Sequence, residues 1–174
     1  LVSVMHANNE IGAVQPIREL AGIAHRHGAL FHTDAVQSTG KISVTVNELD
    51  VDLLSLSAHK FNGPKGVGAL WVKRGSRLAA TMTGGRQERN RRAGTENVPG
   101  ISALGAAARL AEKKLATRGE RATAELRNRL EMGVLANVPG TVLNGNGADR
   151  VPNTTNISFD RVEAESLLIA LDLE

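Results

Sequence analysis

The amino-acid sequence predicts an α/β fold in which helices flank a mostly parallel β-sheet. Short apolar, β-branched segments alternate with a helical pattern, and glycine or proline separates them. Within residues 1–35 a strand, a short helix and a second strand follow one another, as in a parallel βαβ unit. The 174 residues include 41% hydrophobic and 22% charged residues, an ordinary globular composition that argues against intrinsic disorder.

The first part of the chain supplies the predicted sheet. A helix begins at Pro16, whose missing N–H costs little at a helix start. It ends at Gly28, with histidine and arginine in its last turn, where positive charge suits the helix dipole. We expect the strands at residues 1–7, 29–35, 52–58 and 66–72.

The second part of the chain is predicted to be helical at first. Asn97 is positioned to cap a long helix with Pro99 in its first turn, and Gly119 is expected to kink or break this helix. After residue 140 the pattern changes to short strands at 141–144 and 155–159 and a helix at 164–173. We expect residues 1–117 to be part of a large domain and residues 118–174 to begin a smaller α+β domain.

Composition excludes several classes of function. The chain has no cysteine, so these residues supply no disulfide, thiolate zinc site, iron–sulfur site or thiol nucleophile. A net charge of only +3 with 2% aromatic residues argues against a nucleic-acid partner, and no apolar run reaches the roughly 20 residues of a membrane span. Without a signal peptide, the expected location is cytoplasmic. The first residues resemble a strand in progress and the last a helix cut in mid-turn, so we expect an internal piece of a longer protein.

Polar side chains gather where the predicted strands end. In open parallel sheets, ligands bind beyond the carboxyl ends of the strands. The first three strands are followed there by amides, a carboxylate, a hydroxyl, an imidazole and an amine, namely Asn8 and Asn9, Asp34 and Gln37, and Ser57, His59 and Lys60. Such a complementary set indicates a ligand-binding site at this edge.

The set suits an aldehyde cofactor built on a pyridine ring. Lys60 could form a Schiff base if it is desolvated or lies near other positive charge. Asp34 could keep the ring nitrogen protonated. Asn9 and Gln37 could donate hydrogen bonds to a phenolic oxygen of the ring. Ser57 and His59 could donate hydrogen bonds to a phosphate.

Each of these residues also has a purely structural alternative. Asp34 and the two asparagines could be turn formers, and Gln37 could lie exposed on a loop. His59 could be an ordinary strand-end imidazole, and Lys60 a solvated amine, as most lysines are. Lys65 is a rival nucleophile in a Gly/Pro-rich turn. No metal site is predicted, and four histidines are taken as structural: His6, His25, His27 and His32.

Five segments together carry a family resemblance. They are residues 5–12 (MHANNEIG), 32–38 (HTDAVQS), 57–60 (SAHK), 63–70 (GPKGVGAL) and 91–97 (RRAGTEN). In this order and spacing they resemble the NifS/IscS-like cysteine desulfurases, a branch of the class V, fold type I pyridoxal-phosphate enzymes. The resemblance extends over essentially the whole chain and implies pyridoxal 5′-phosphate as the cofactor.

The resemblance implies catalytic roles for two residues. Lys60 is expected to bond covalently to pyridoxal 5′-phosphate and, when displaced by the substrate amine, to move a proton as acid and base. His59 is the second expected catalytic residue, and it shares the cofactor phosphate with Ser57.

The other positions that match the family are expected to bind the cofactor. Asp34 matches the residue that holds the ring nitrogen, and Gln37 and Asn9 match residues at the phenolic oxygen. In the family's homodimers, the position of Thr95 reaches the cofactor phosphate of the neighbouring subunit. The arginine-rich loop at residues 86–92 is then expected near the dimer interface.

The implied reaction removes sulfur from L-cysteine and gives L-alanine and an enzyme persulfide. The persulfide serves iron–sulfur cluster assembly or another sulfur acceptor, and a scaffold protein is a possible partner. The family's nucleophilic cysteine follows the helix predicted at 164–173, and this chain holds no cysteine. We therefore expect the 174 residues alone to be inactive and to hold the cofactor weakly.

Two alternatives stay open at this point. One is a different class V enzyme on the same scaffold, such as a selenocysteine lyase or a small-molecule aminotransferase, which would use the same cofactor residues. The other is a noncatalytic binding module whose basic loop, residues 86–92, contacts an acidic partner.

Overall fold

The computed structural model describes residues 1–117 and 119–174. Its main sheet has the strand order β1-β2-β3-β4. The first three strands run parallel, and β4 runs antiparallel to β3. A separate two-stranded antiparallel sheet joins β5 and β6. The strands are β1 (Val2–Met5), β2 (Phe31–Asp34), β3 (Leu53–Ser57), β4 (Gly68–Val72), β5 (Thr141–Leu143) and β6 (Ile157–Phe159). The mostly parallel sheet with flanking helices confirms the predicted fold class.

The four longer helices fall where the sequence pattern places them, whereas two single-turn helices, Val46–Leu49 and Gln87–Asn90, were not predicted. The predicted break in the long helix is confirmed, since α4 ends at Ala116 and α5 begins at Gly119. The predicted cap is also confirmed: the Asn97 side chain accepts a hydrogen bond from the Gly100 N–H at 3.1 Å. The helices are α1 (Ile17–Arg26), α2 (Val46–Leu49), α3 (Gln87–Asn90), α4 (Val98–Ala116), α5 (Gly119–Asn137) and α6 (Ala164–Asp172).

The main apolar core lies between α1 and one face of the sheet. Alternate side chains of a strand point to opposite faces, and Phe31 of β2 and Leu54 of β3 point to this one. Both pack there with the buried Val51. The spacing of Ile17, Ala21 and Ala24 places all three on the side of α1 that packs against it. This packing holds β2 and β3 in place and thereby fixes where their carboxyl ends lie.

The opposite face of the sheet carries a row of hydrogen-bonded polar side chains. The Ser3 hydroxyl lies 2.7 Å from Nδ1 of His32, and Nε2 of His32 lies 3.2 Å from the Ser55 hydroxyl. These three residues belong to three neighbouring strands. The row therefore runs across the sheet, and His32 has the structural role that the sequence predicts.

The chain after α5 returns to the turn that follows β1. The Val14 N–H donates to the Asp149 carbonyl at 2.8 Å, and the Val151 N–H donates to the Gly12 carbonyl at 2.9 Å. Gly12 has φ +75°, and a Cβ there would lie 2.9 Å from the Cβ of Thr154, so the close approach requires glycine. The division into domains at residue 117 stays a prediction.

Among the helices of the described residues, none has the length and apolarity that a membrane crossing requires.

Candidate functional site

The carboxyl ends of three parallel strands meet at one edge of the sheet. The register places Met5 opposite Asp34 and Asp34 opposite Ser55. The ladder continues past the strands, because the His6 N–H donates to the Asp34 carbonyl at 2.8 Å and the Ala35 N–H donates to the Ser55 carbonyl at 2.9 Å. The polar residues that follow each strand therefore share this edge, as the sequence predicts.

A 3₁₀ turn at Ala58–Phe61 presents the imidazole and the amine. Residues three apart in such a turn lie on one side, so Ala58 and Phe61 are both buried, packed with Ala107 of α4. His59 and Lys60 consequently point away from this contact and are exposed. The packing of the turn on α4 is thus what orients the two predicted catalytic side chains.

Glycine closes this turn. The Gly63 N–H donates to the Ala58 carbonyl at 2.8 Å, and a Cβ at Gly63 would lie 2.8 Å from the Cβ of Ala58. Asn62 precedes it in the left-handed region, with φ +66°, which asparagine tolerates better than most residues. The segment that carries Lys60 therefore has a defined, tight backbone path.

Ser57 and His59 form a hydrogen-bonded pair. The Ser57 hydroxyl lies 2.8 Å from Nδ1 of His59. When the hydroxyl donates to Nδ1, the ring proton lies on Nε2, and this N–H is available to an anion. The pair can therefore offer a donor to a phosphate group.

Asp34 ends β2 with a half-buried carboxylate. Its Oδ1 accepts a hydrogen bond from the Val36 N–H at 2.8 Å, which is the local turn geometry that the structural alternative expected. A carboxylate has two oxygens and about four acceptor positions, so this bond leaves capacity for a protonated ring nitrogen. The turn and the proposed cofactor contact are therefore compatible.

Gln37 lies half-buried after β2 and pairs with a lysine that sequence reasoning missed. The Lys41 ammonium donates to Oε1 of Gln37 at 3.3 Å. Burial, and then the positive charge of Lys60, lower the pKa of Lys41. The ammonium groups of Lys41 and Lys60 are thus near enough to interact electrostatically. In the sequence, the spacing of four residues between Gln37 and Lys41 was the signal that could have indicated this pair.

The asparagines after β1 lie in a tight turn. Oδ1 of Asn8 accepts hydrogen bonds from the N–H groups of Glu10 and Ile11, both at 2.9 Å, so Asn8 is a turn former. Asn9 is exposed at the tip of this turn. Its amide is consequently free to meet a ligand at the sheet edge.

Thr95 lies apart from the other candidate residues. It is exposed in the segment between α3 and α4, and within residues 1–117 and 119–174 no hydrogen bond joins it to them. The arginines of the same loop are exposed too: Arg86, Arg89, Arg91 and Arg92. The structure therefore gathers the candidates of the first three strands and leaves Thr95 facing outward.

Two histidines outside the candidate set lie in different surroundings. His25 donates through its Nε2–H to Oδ2 of Asp52 at 2.8 Å, in agreement with its predicted structural role. His6 is buried, and this burial lowers its pKa and favours the neutral ring. In the part of the chain that the structure describes, no cluster of histidine, aspartate and glutamate is arranged to hold a metal ion.

Known proteins resemble this chain along its whole length. A family model described as aminotransferase class-V matches residues 1–174. A cysteine desulfurase of Cereibacter sphaeroides is 52% identical over 173 residues, which are 99% of this chain and 43% of that protein. The cysteine desulfurase IscS of Dictyoglomus turgidum is 52% identical over 174 residues, which are 100% of this chain and 44% of that protein.

Solved structures agree with the sequence relatives. A NifS-like protein from Rickettsia africae superposes with a TM-score of 0.93 at 34% identity, covering 99% of this chain and 47% of that one. The chain thus spans less than half the length of the relatives it matches. A family match over every residue and a shared fold establish that this chain belongs to the class V aminotransferase family.

Proposed function

We propose that the protein carrying this chain is a pyridoxal-phosphate-dependent cysteine desulfurase. It takes sulfur from L-cysteine, releases L-alanine and keeps the sulfur as a persulfide for iron–sulfur cluster assembly or another acceptor. The observation that carries the proposal is the convergence of Asp34, the Ser57–His59 pair and Lys60 at one sheet edge. The identity of about half of all residues with cysteine desulfurases supports the choice of reaction.

The side chains at this edge fit pyridoxal 5′-phosphate by their chemistry. Its aldehyde requires an amine, its ring nitrogen a carboxylate, its phenolic oxygen a donor and its phosphate several donors. The edge offers these groups in the same order: Lys60, Asp34, Gln37 with Asn9, and Ser57 with His59. When bound, the group supplies an electron sink for the substrate's α-carbon.

The chain's own residues then have defined tasks. The Lys60 amine would hold the aldehyde of the cofactor, and its Nζ would move a proton as acid and base. The Asp34 carboxylate keeps a proton on the ring nitrogen by its negative charge. The Ser57–His59 pair anchors the phosphate and thereby fixes the position of the ring relative to Lys60.

The sulfur step requires a thiolate from outside these residues. A thiolate attacks the substrate sulfur, a sulfur–sulfur bond forms, and the carbon–sulfur bond breaks with its electron pair returned to carbon. Protonation of that carbon gives alanine. Because the chain holds no cysteine, the 174 residues alone are inactive in this proposal.

We also propose a homodimer in which Thr95 contacts the cofactor phosphate of the neighbouring subunit. The exposure of Thr95, just after the arginine-rich loop at residues 86–92, supports this, because an outward-facing hydroxyl is accessible to a second chain. A cytoplasmic location, a sulfur-accepting or scaffold partner and a domain boundary at residue 117 belong to the same proposal.

Borohydride reduction tests the assignment of Lys60. The intact protein is loaded with pyridoxal 5′-phosphate, reduced and digested, and the modified lysine is located by mass spectrometry of the peptides. We expect the label on Lys60, and we expect Lys60→Ala to lose it while Lys65→Ala retains it. A label on Lys65 would refute the assignment, and protein that carries no label would instead favour a noncatalytic binding module.

The product distinguishes the desulfurase from its class V alternatives. Incubation with L-cysteine should give equal amounts of alanine and protein-bound sulfur. A keto acid as product would favour an aminotransferase, and turnover restricted to selenocysteine would favour a lyase for that substrate.

A further inference from the structure

Lys41 and Gln37 lie on the same side of a hydrogen-bonded turn after β2. The Thr39 N–H donates to the Ala35 carbonyl at 2.9 Å, and the Lys41 N–H donates to the Ser38 carbonyl at 3.0 Å. The turn has a buried anchor, because Ser38 is fully enclosed and its hydroxyl also donates to Ala35. Within this turn the Lys41 and Gln37 side chains are in direct contact.

The same turn is packed against the segment that carries Lys60. Gly40 has φ +76°, and a Cβ there would lie 2.9 Å from the Cβ of Phe61 and 3.2 Å from that of Ala111. The backbone at Gly40 therefore touches the 3₁₀ turn directly. This contact brings Lys41 close enough to Lys60 for the two positive charges to repel each other.

The Lys41 contact selects one orientation of the Gln37 amide. An ammonium group can only donate, whereas an amide has an accepting oxygen and a donating nitrogen. With the Lys41 Nζ 3.3 Å from Oε1, the Gln37 nitrogen keeps both of its hydrogens for other partners. The reverse orientation would set two donors against each other and is disfavoured.

We propose that Lys41 is a positioning residue for the cofactor site: its ammonium holds the Gln37 amide with the nitrogen free to donate to the phenolic oxygen of pyridoxal 5′-phosphate. The inference rests on the proposed function, because it assigns Gln37 to that oxygen. Lys41 itself does not contact the cofactor in this inference, and it acts through the Gln37 amide.

A double-mutant cycle on the intact protein tests this. Lys41→Met removes the ammonium and keeps an unbranched side chain, Lys41→Arg keeps a charged donor, and Gln37→Ala removes the amide. Lys113→Met is the matched control, since Lys113 is an exposed lysine of α4 and its loss changes the net charge equally. The readouts are the dissociation constant of pyridoxal 5′-phosphate and the absorption maximum of the bound cofactor.

We expect Lys41→Met to weaken cofactor binding by about tenfold, the size of one hydrogen bond to a charged group, and to shift the absorption maximum. Lys41→Arg should stay within about threefold of the parent protein, because it can still donate to Oε1. In the Gln37→Ala background, Lys41→Met should have no further effect. Lys113→Met should match the parent in both readouts.

Three results would overturn the inference. Cofactor binding and absorption unchanged in Lys41→Met would refute it, and so would an equal loss with and without Gln37, because Lys41 would then act independently of the amide. If Lys41→Met does not fold, the inference is refuted when Lys41→Arg binds the cofactor as weakly as Gln37→Ala does. In all three cases the parent protein binds the cofactor. A parent protein that binds no pyridoxal 5′-phosphate is a different outcome, because it refutes the proposed function together with the inference.

Discussion

Asp52 is a buried carboxylate just before β3, at the end of the sheet opposite the candidate site. Its Oδ2 accepts hydrogen bonds from the Phe31 N–H and lies 2.8 Å from Nε2 of His25, with Lys73 nearby. Burial raises the pKa of Asp52, but these donors and positive charges outweigh it, so the pKa is lowered. The carboxylate therefore stabilises the start of β3 in its ionised form.

Stability should depend on pH through this residue. A carboxyl group with a lowered pKa in the folded state stabilises the protein above its unfolded pKa of about 3.9 and loses this contribution as the pH falls through the lower folded value. We expect the free energy of unfolding, measured by urea titration, to fall between about pH 5 and pH 2. Asp52→Asn should be less stable at pH 6 by about 1–3 kcal/mol and should show a weaker pH dependence.

The control for this prediction is Asp172→Asn. Asp172 is exposed in α6, so its replacement should change neither the stability at pH 6 nor the slope with pH. A steep slope that persists unchanged in Asp52→Asn would show that other groups govern the acid sensitivity.

At the scale of elements, the turn after β2 depends on close contact with the 3₁₀ turn. Gly40 combines a positive φ with a Cβ position that is already filled by Phe61. Gly28, after α1, has a similar φ of +68° but nothing within 4 Å of its Cβ position. Alanine substitutions at the two glycines therefore separate the free-energy cost of the left-handed backbone from that of a steric collision.

Gly40→Ala should destabilise the protein more than Gly28→Ala does. We expect about 1–2 kcal/mol for Gly28→Ala, from the left-handed backbone alone, and about 1–3 kcal/mol more for Gly40→Ala, because the added methyl displaces Phe61. Urea unfolding of both variants measures the difference. Equal losses would mean that the turn yields without strain and does not hold Lys41 in place.

Sequence reasoning located the strand ends because buried strands are continuous apolar runs and their polar flanks stand out. It located the cap at Asn97 and the break at Gly119 from local chemistry that tertiary packing leaves unchanged. It missed Lys41, because a glutamine and a lysine four residues apart are equally typical of an exposed surface. It also missed Asp52, whose partners at positions 25 and 31 become neighbours only when the sheet forms.

At the scale of the whole molecule, a buried ion pair ties α5 to the chain near β1. The Arg150 guanidinium binds both carboxylate oxygens of Glu131, at 2.8 and 3.0 Å, and both side chains are nearly enclosed. The hydrogen bond from Arg150, the largest cause, lowers the pKa of Glu131 despite its burial. Because Arg150 also pairs through its backbone with Ala13, the ion pair anchors the segment after the exposed Asn9.

Breaking this pair should be costly. Arg150→Met leaves the Glu131 carboxylate buried without its main partner, and we expect a loss of about 3–5 kcal/mol in urea unfolding. Glu131→Leu in the same protein should recover much of the loss, since it removes the unpaired charge. Arg121→Met is the matched control: its partner Glu125 and Arg121 itself are both mostly exposed, so we expect about 0–1 kcal/mol. A loss for Arg150→Met no larger than that of the control would contradict the anchoring role.

The antiparallel pairing of β3 with β4 affects the order in which the site can assemble. Ser57 pairs with Gly68, so the same ladder closes both ends of the segment at residues 58–67, which bears the imidazole and the amine. Closing such a short loop costs little chain entropy, whereas aligning Asp34 with Ser55 requires two parallel strands to meet across a longer stretch of chain. The backbone of the segment that bears the amine is thus closed by a local hairpin, although α4 orients its side chains. The carboxylate reaches its working position only when the parallel strands dock beside it.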